Sequence, residues 1–293
     1  MRTLLIAPAW VGDMVMAEPL VRLLHAQQPE LEVHVAAPAS TLSLALRMNH
    51  VTATHDWPFA HGVFDAAGRW RVARQLRPAE LPMLVQRFVA LGMPRDALCP
   101  GATAPLLEAD AAQSANLRQA FAPDRTEPVL ALCPGAEFGE SKRWPCSHFA
   151  HLATEFIARG WQVWLFGAQK DVAAGTAIAD SLAQAHRHRL IDLIGRTSLL
   201  DAVDLLACAD AVVSNDSGLM HVAAALGRRV VGVFGSTSER FTPPLGARTQ
   251  AISLSLPCRP CFERTCRYGH YDCLQKLAPA RVLAVLDQLL EAA

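Results

Sequence analysis

The sequence predicts an α/β protein built from two Rossmann-like halves, each a doubly wound parallel sheet, and three observations carry that prediction. From Val129 onward, strand-like apolar runs alternate with helical patterns, the order that builds a parallel sheet with helices on its faces. The start of the chain reads as strand, loop, helix, strand, a βαβ unit. A length of 293 residues exceeds one ordinary core and fits two domains of roughly 120 to 160 residues.

Residues 3–7 form a short apolar run closed by Pro8, and a helical pattern follows over about 13–28. Residues 31–37, rich in β-formers, are the parallel neighbour of the first run. The remainder of the first half shows no clear period. Beyond a polar, proline-bearing stretch at 122–128 the pattern becomes regular, with strands at Val129–Cys133, 162–166, 190–193, 211–214 and 230–234. Helices fall between them at 147–159, from about 171, at 199–208 and at 219–225, and a last helix spans 279–290. Ser198 with Asp201 three residues on has capping-box spacing. The expected division is a first domain of 1–125 and a second of 126–293.

Charge is balanced, 27 basic against 27 acidic residues, so no global field points to a nucleic-acid partner, and an anionic ligand must be met locally. The apolar run at the start stops at Pro8, too short for a signal peptide, and no stretch approaches the ~20 apolar residues of a membrane span. A cytoplasmic location is expected, with peripheral attachment to a membrane left open. Eight cysteines are then expected as free thiols. Cys99, Cys133, Cys146 and Cys208 stand among apolar neighbours and read as small core residues.

Open parallel sheets bind ligands beyond the carboxyl ends of their strands, so the loops that follow strands are the candidate site. After the first strand come Trp10, Gly12 and Asp13, where glycine permits a close approach; Asp13 either acts on a ligand or merely favours the helix start. After Val129–Cys133 comes a loop with Gly135, Gly139, Lys142 and Arg143 before a helix, suited to a phosphate, although a solvated basic loop reads the same way. Lys142 is one of only three lysines in a chain that otherwise uses arginine. After the strand at 211–214 come Asp216, Ser217, Gly218 and Leu219 at a helix start, where free N–H groups suit a diphosphate, with His221 one turn in. The loop at 235–244 is long and polar enough to reach across a cleft. No G-x-G-x-x-G follows a strand and no G-x-x-x-x-G-K-[ST] occurs, which leaves nucleotide-sugar enzymes as the best class.

These loops resemble glycosyltransferase family 9, the ADP-heptose:lipopolysaccharide heptosyltransferases. WVGDMVMAEPL (10–20) is similar to the family's first loop and helix, in the form typical of members that add the second heptose. CPGAEFGESKRWP (133–145) and SNDSGLMHVAAAL (214–226) resemble its two nucleotide-binding stretches, and FTPPL (241–245) its late loop. The resemblance implies the GT-B architecture, two Rossmann-like domains facing a cleft. It also implies transfer of L-glycero-D-manno-heptose from ADP-heptose to the first heptose of the inner core, on heptosyl-Kdo2-lipid A at the inner membrane, with no cofactor and no catalytic metal. Asp13 matches the family's general base, with Trp10 and Gly12 in the acceptor loop. Lys142, Gly135, Asp216, Ser217, Gly218, Leu219 and His221 match its ADP and donor-sugar contacts, and Asp171 an acid that can hold the ribose. A catalytically impaired ADP-sugar-binding homologue and a nucleotide-sugar epimerase of similar architecture are the alternatives.

Family members carry a further segment of about forty residues, one βα unit in size, where Arg77 here joins Pro78. The shortening is expected to weaken the acceptor side, while the basic run Arg69, Arg71, Arg74 and Arg77 either attracts an anionic acceptor or is a solvated helix face. Cys258, Cys261, Cys266 and Cys273, spaced C-x2-C-x4-C-x6-C, suit a structural zinc site; with one C-x-x-C only, packing without metal remains the alternative. In either case the cluster is expected to lie remote from catalysis.

Overall fold

The computed structural model describes residues 2–56, 81–94, 101–123 and 126–292. The run Arg69 to Arg77, the junction at 77/78 and Cys99 lie outside these residues, as do residues 124 and 125 at the expected domain boundary. The first half opens with β1 (Arg2–Ile6), α1 (Val11–Gln27), β2 (Glu32–Ala37), α2 (Ala39–Leu42) and β3 (Val51–Asp56). Helices α3 (Leu84–Ala90) and α4 (Ala111–Phe121) follow. The second half runs β4 (Val129–Cys133), α5 (Cys146–Ala158), β5 (Gln162–Leu165), α6 (Val172–Asp180), β6 (Leu190–Asp192) and α7 (Leu199–Leu206). It continues with β7 (Ala211–Asn215), α8 (Gly218–Ala225), β8 (Arg229–Val233), β9 (Thr249–Ile252), α9 (Asp272–Gln275) and α10 (Pro279–Glu291).

Among the described residues every strand pairing is parallel, in two sheets ordered β1-β2-β3 and β6-β5-β4-β7-β8-β9. β4 and β7 are buried along their whole length, which is why their sequences are unbroken apolar or small runs. The predicted elements lie within one or two residues of the observed ones, and the Ser198 capping box forms, Ser198 N–H to Asp201 at 3.0 Å and Asp201 N–H to Ser198 Oγ at 3.2 Å. β3 and β9 had no legible signal: VTATHD and TQAI are short, half polar and only partly buried.

Apart from a small cluster of Val21, Leu31 and Val33, two apolar clusters fill the described residues. One lies within the second half and packs Leu130, Leu132, Trp144, Phe149, Phe156 and Leu286. The other spans both sheets, joining Met14, Val15 and Val35 to Val129, Ala131, Val212 and Met220. Beside it stands a buried polar tie: Asp204 on α7 accepts Arg47 Nη2 at 2.5 Å and the Asp110 N–H at 2.9 Å, and its carbonyl accepts Ser114 Oγ at 2.9 Å. Among the described residues β1 is a sheet edge, with Leu4 and Ile6 55% and 60% exposed. Of the cysteines read as core, Cys133 is buried, its thiol pushed up to about 12 by that burial, while Cys146 and Cys208 are only half-buried.

Candidate active site

β4 and β7 are neighbours, yet the chain leaves β4 toward β5 on one side and β7 toward β8 on the other. Such a reversal opens a crevice beyond the strands' carboxyl ends. The loops after β4 and β7 flank it, and the start of α1 closes it from the first sheet, around a cavity of about 1070 Å³. The residues matched to the base, acceptor-loop and donor roles line it: Trp10, Gly12 and Asp13; Gly135 and Lys142; Asp171; Asp216, Ser217, Gly218, Leu219 and His221, whereas Gly139 and Arg143 do not.

Trp10 is the N-cap of α1, without a side-chain cap bond, and Asp13 is the third residue of the helix, so its carboxylate is not the capping group. Burial pushes the Asp13 carboxyl above the usual carboxylate range; the Lys142 ammonium opposes that push and the Asp216 charge adds to it. The starts of α1 and α8 meet at two glycines. A Cβ on Gly12 would lie 2.8 Å from His221 Cδ2, and one on Gly218 2.6 Å from Val11 Cβ. His221 is buried against this contact, which holds its imidazole neutral with a pKa lowered to about 4 by desolvation.

Lys142 Nζ pairs with Asp216 Oδ2 at 2.6 Å and lies 5.1 Å from the centre of the Phe138 ring. Asp216 is buried and also accepts Thr237 Oγ1 at 2.5 Å. Ser217 is the N-cap of α8 but makes no side-chain cap bond; its hydroxyl lies 3.2 Å from Ser214 Oγ. Asp171 accepts the Ala168 N–H at 3.1 Å and Arg143 Nη2 at 3.1 Å, and its carboxylate lies where a Cβ on Gly135 would stand, so that glycine is required by Asp171.

Several lining or positioning residues escaped the sequence reading. Asn215, fully buried, accepts the Trp144 N–H at 3.1 Å and donates to the Pro134 carbonyl at 2.6 Å, which locks the loop after β4 to the end of β7. Its place between Ser214 and Asp216, inside a quoted motif, was the only available signal. The late loop does reach the first half: the Leu84 N–H donates to Phe241 O at 3.1 Å, and Thr242 lines the cavity.

The expectation that the cysteine loop is remote is overturned. Arg264, between Cys261 and Cys266, lines the same cavity, its guanidinium 5.3 Å from the Phe138 ring centre. The Ser141 N–H donates to Arg264 O at 3.2 Å and Ser141 Oγ to Glu263 O, so the loop is stitched to the segment that carries Lys142. Four residues between the second and third cysteine are enough to reach across, a distance that linear spacing does not reveal.

The family model for glycosyltransferase family 9 (heptosyltransferase) matches residues 44–272. Lipopolysaccharide heptosyltransferase 2 of Escherichia coli K12 is 33% identical over 343 positions, covering 99% of each chain. Because that alignment is longer than the 293 residues here, about fifty of its positions have no counterpart in this chain. Lipooligosaccharide heptosyltransferase 2 of Haemophilus influenzae is 34% identical, covering 87% of this chain and 89% of its own. In fold, the chain is similar to E. coli ADP-heptose heptosyltransferase II, with a TM-score of 0.83, 31% identity and full coverage of both chains. The family 9 glycosyl transferase of Veillonella parvula shares the fold at 15% identity, with a TM-score of 0.76, over 100% and 96% of the two chains. The epimerase alternative therefore falls. A site at the switch point of one sheet, closed by the first helix of another, is the GT-B arrangement, and the chain belongs to glycosyltransferase family 9, the heptosyltransferases.

Proposed function

We propose that the chain moves L-glycero-D-manno-heptose from ADP-heptose to the first heptose of the lipopolysaccharide inner core, on heptosyl-Kdo2-lipid A, with inversion at the anomeric carbon. The observation that carries this reading is the meeting of a buried Asp13 and the Lys142–Asp216 pair in one cavity large enough for a nucleotide sugar. In the proposed step the acceptor hydroxyl oxygen attacks the anomeric carbon while the bond to the β-phosphate oxygen breaks. ADP leaves with the electron pair, and the hydroxyl proton passes to Asp13. Lys142 and the N–H groups at the start of α8 stabilise the charge that grows on the diphosphate. No catalytic metal or other cofactor has a part in this scheme.

Asp216 and Thr237 hold Lys142 ready, and the neutral His221 offers a hydrogen bond without a competing positive charge. Asp171, steadied by Arg143, takes the ribose hydroxyls, and Trp10 with Gly12 borders the acceptor. The reading goes with a cytoplasmic protein that meets its lipid-anchored acceptor at the inner face of the membrane; no described helix is long and apolar enough to cross one.

The test is product analysis with ADP-heptose and heptosyl-Kdo2-lipid A. A diheptosyl glycoside is expected; binding of ADP-heptose without turnover would make the chain an impaired donor-binding homologue instead. Asp13→Asn is expected to lower transfer at least ~100-fold with ADP affinity unchanged, the loss typical of a positioned base.

A further inference from the structure

We propose that Cys258, Cys261, Cys266 and Cys273 bind one zinc-class divalent metal ion, which fixes the loop that delivers Arg264 to the donor cavity. The second half of this proposal rests on the donor-site reading above, whereas the first half stands without it.

Half of the chain's eight cysteines line one small cavity of about 20 Å³. That is room for a single occupant of about the size of one water. No disulfide joins any of the four. Among the described residues no three His, Cys, Asp or Glu side chains stand placed to hold a metal ion, so binding one requires the four sulfurs to turn inward from the rim of the cavity they share.

The surroundings suit a thiolate centre. Four thiolates around a divalent cation carry a net charge of −2, and Arg259 and Arg267 line the same cavity. Two guanidinium groups offset that charge.

Beyond Cys261 the loop is tied to Ser141 through Glu263 O and Arg264 O but has no regular structure to fix Cys266. Its near half is anchored: Arg259 donates to Gly235 O, Leu254 O, Thr237 O and Glu239, and the Cys261 N–H to Ser236 O. Between Phe262 and Tyr271 there is no strand or α-helix, and Phe262, Gly269 and Tyr271 all have positive φ. Cys273 sits buried on α9. One ion would tie the anchored Cys258 and Cys261, the irregular Cys266 and the fixed Cys273 together, with Arg264 held in the span between.

Wild-type protein purified under reducing conditions is expected to contain about one equivalent of zinc or iron per chain by elemental analysis. Mercurial titration of that same wild-type protein should release the metal in step with modification of the thiols. Metal-stripped protein titrated with Co(II) should show the sulfur-to-cobalt charge-transfer bands of a tetrahedral thiolate site, absent in Cys258→Ser/Cys261→Ser. Less than a tenth of an equivalent as purified, together with no such bands on titration, would overturn the metal site. So would alkylation and mass mapping that finds the four thiols paired as disulfides. Calorimetry on the metal-free wild type should give ADP binding weakened about tenfold, the lower worth of one charge-assisted contact. Unchanged ADP affinity would sever the ion from Arg264 while leaving the metal content to be judged by itself.

Discussion

At the scale of single residues, the proposed transfer step turns on the proton of Asp13. Its carboxyl is held above the ordinary range by burial, so the acid limb of the transfer rate should lie above the pH at which a free aspartate titrates. Lys142 works against that upward push. Lys142→Ala should therefore move the acid limb further up while weakening ADP about ten- to a hundredfold, the worth of a charge-assisted contact. Calorimetry and a pH–rate profile on one variant thus test both roles, and unchanged ADP affinity would remove Lys142 from the diphosphate. His221 gives a stability prediction with a definite sign. Its folded pKa of about 4 lies below the free value of 6.5, so its contribution is complete above pH 6.5 and is lost as pH falls toward 4. The full span is about 3 kcal/mol. Asp13, shifted upward, has the opposite sign: its contribution is present at low pH and is lost as pH rises through its folded value. The difference between wild type and His221→Gln isolates the histidine. The melting temperature of the variant should fall less between pH 6.5 and 4, and equal slopes would refute the assignment. Asp13, Lys142 and Asp216 were legible because each stands just beyond a strand, Asp13 in the first turn of the helix that follows. Arg264 was not, because its approach depends on the path of a loop and not on a motif.

At the scale of elements, β4, β7 and β8 were legible because a central parallel strand is buried on both faces and its sequence becomes a continuous apolar run. The polar tie on α7 was invisible. In LLDAVDLL, Asp201 completes the capping box with Ser198 while Asp204 is fully buried and gathers Arg47, Asp110 and Ser114 from the first half. An acid on a helix ordinarily reads as its solvent face, and only tertiary packing makes it a buried junction. Removing one partner of a buried pair leaves the other charge uncompensated, typically at about 3 to 5 kcal/mol. Asp204→Ala should cost that much in urea unfolding, and a double-mutant cycle with Arg47→Ala should show strong coupling; additive losses would mean that the pair acts only through its separate contacts.

At the scale of the whole molecule, the two halves are unequal: six strands stand in one sheet against three described strands in the other, and relatives align over about fifty further positions. The alternation from β4 to β8 was readable from sequence because those elements follow one another without interruption, whereas β9 was not. The first half was not, since its short partly polar strand β3 and its helices α3 and α4 depend on contacts made elsewhere. If the shortening acts on the acceptor side, turnover on heptosyl-Kdo2-lipid A should be lower than that of a longer relative assayed beside it, with ADP affinity similar in the two. Equal turnover would show that the smaller sheet suffices. The apolar cluster that runs from Met14 and Val35 to Val129 and Val212 has a thermodynamic consequence. Neither sheet can lose its neighbour without exposing part of its own interior, so loosening one must loosen the other. Heating the protein should therefore produce a single calorimetric peak whose van't Hoff and measured enthalpies agree, and two resolved peaks would mean that the cluster couples the halves only weakly. The molecule with two sheets would melt as one cooperative unit.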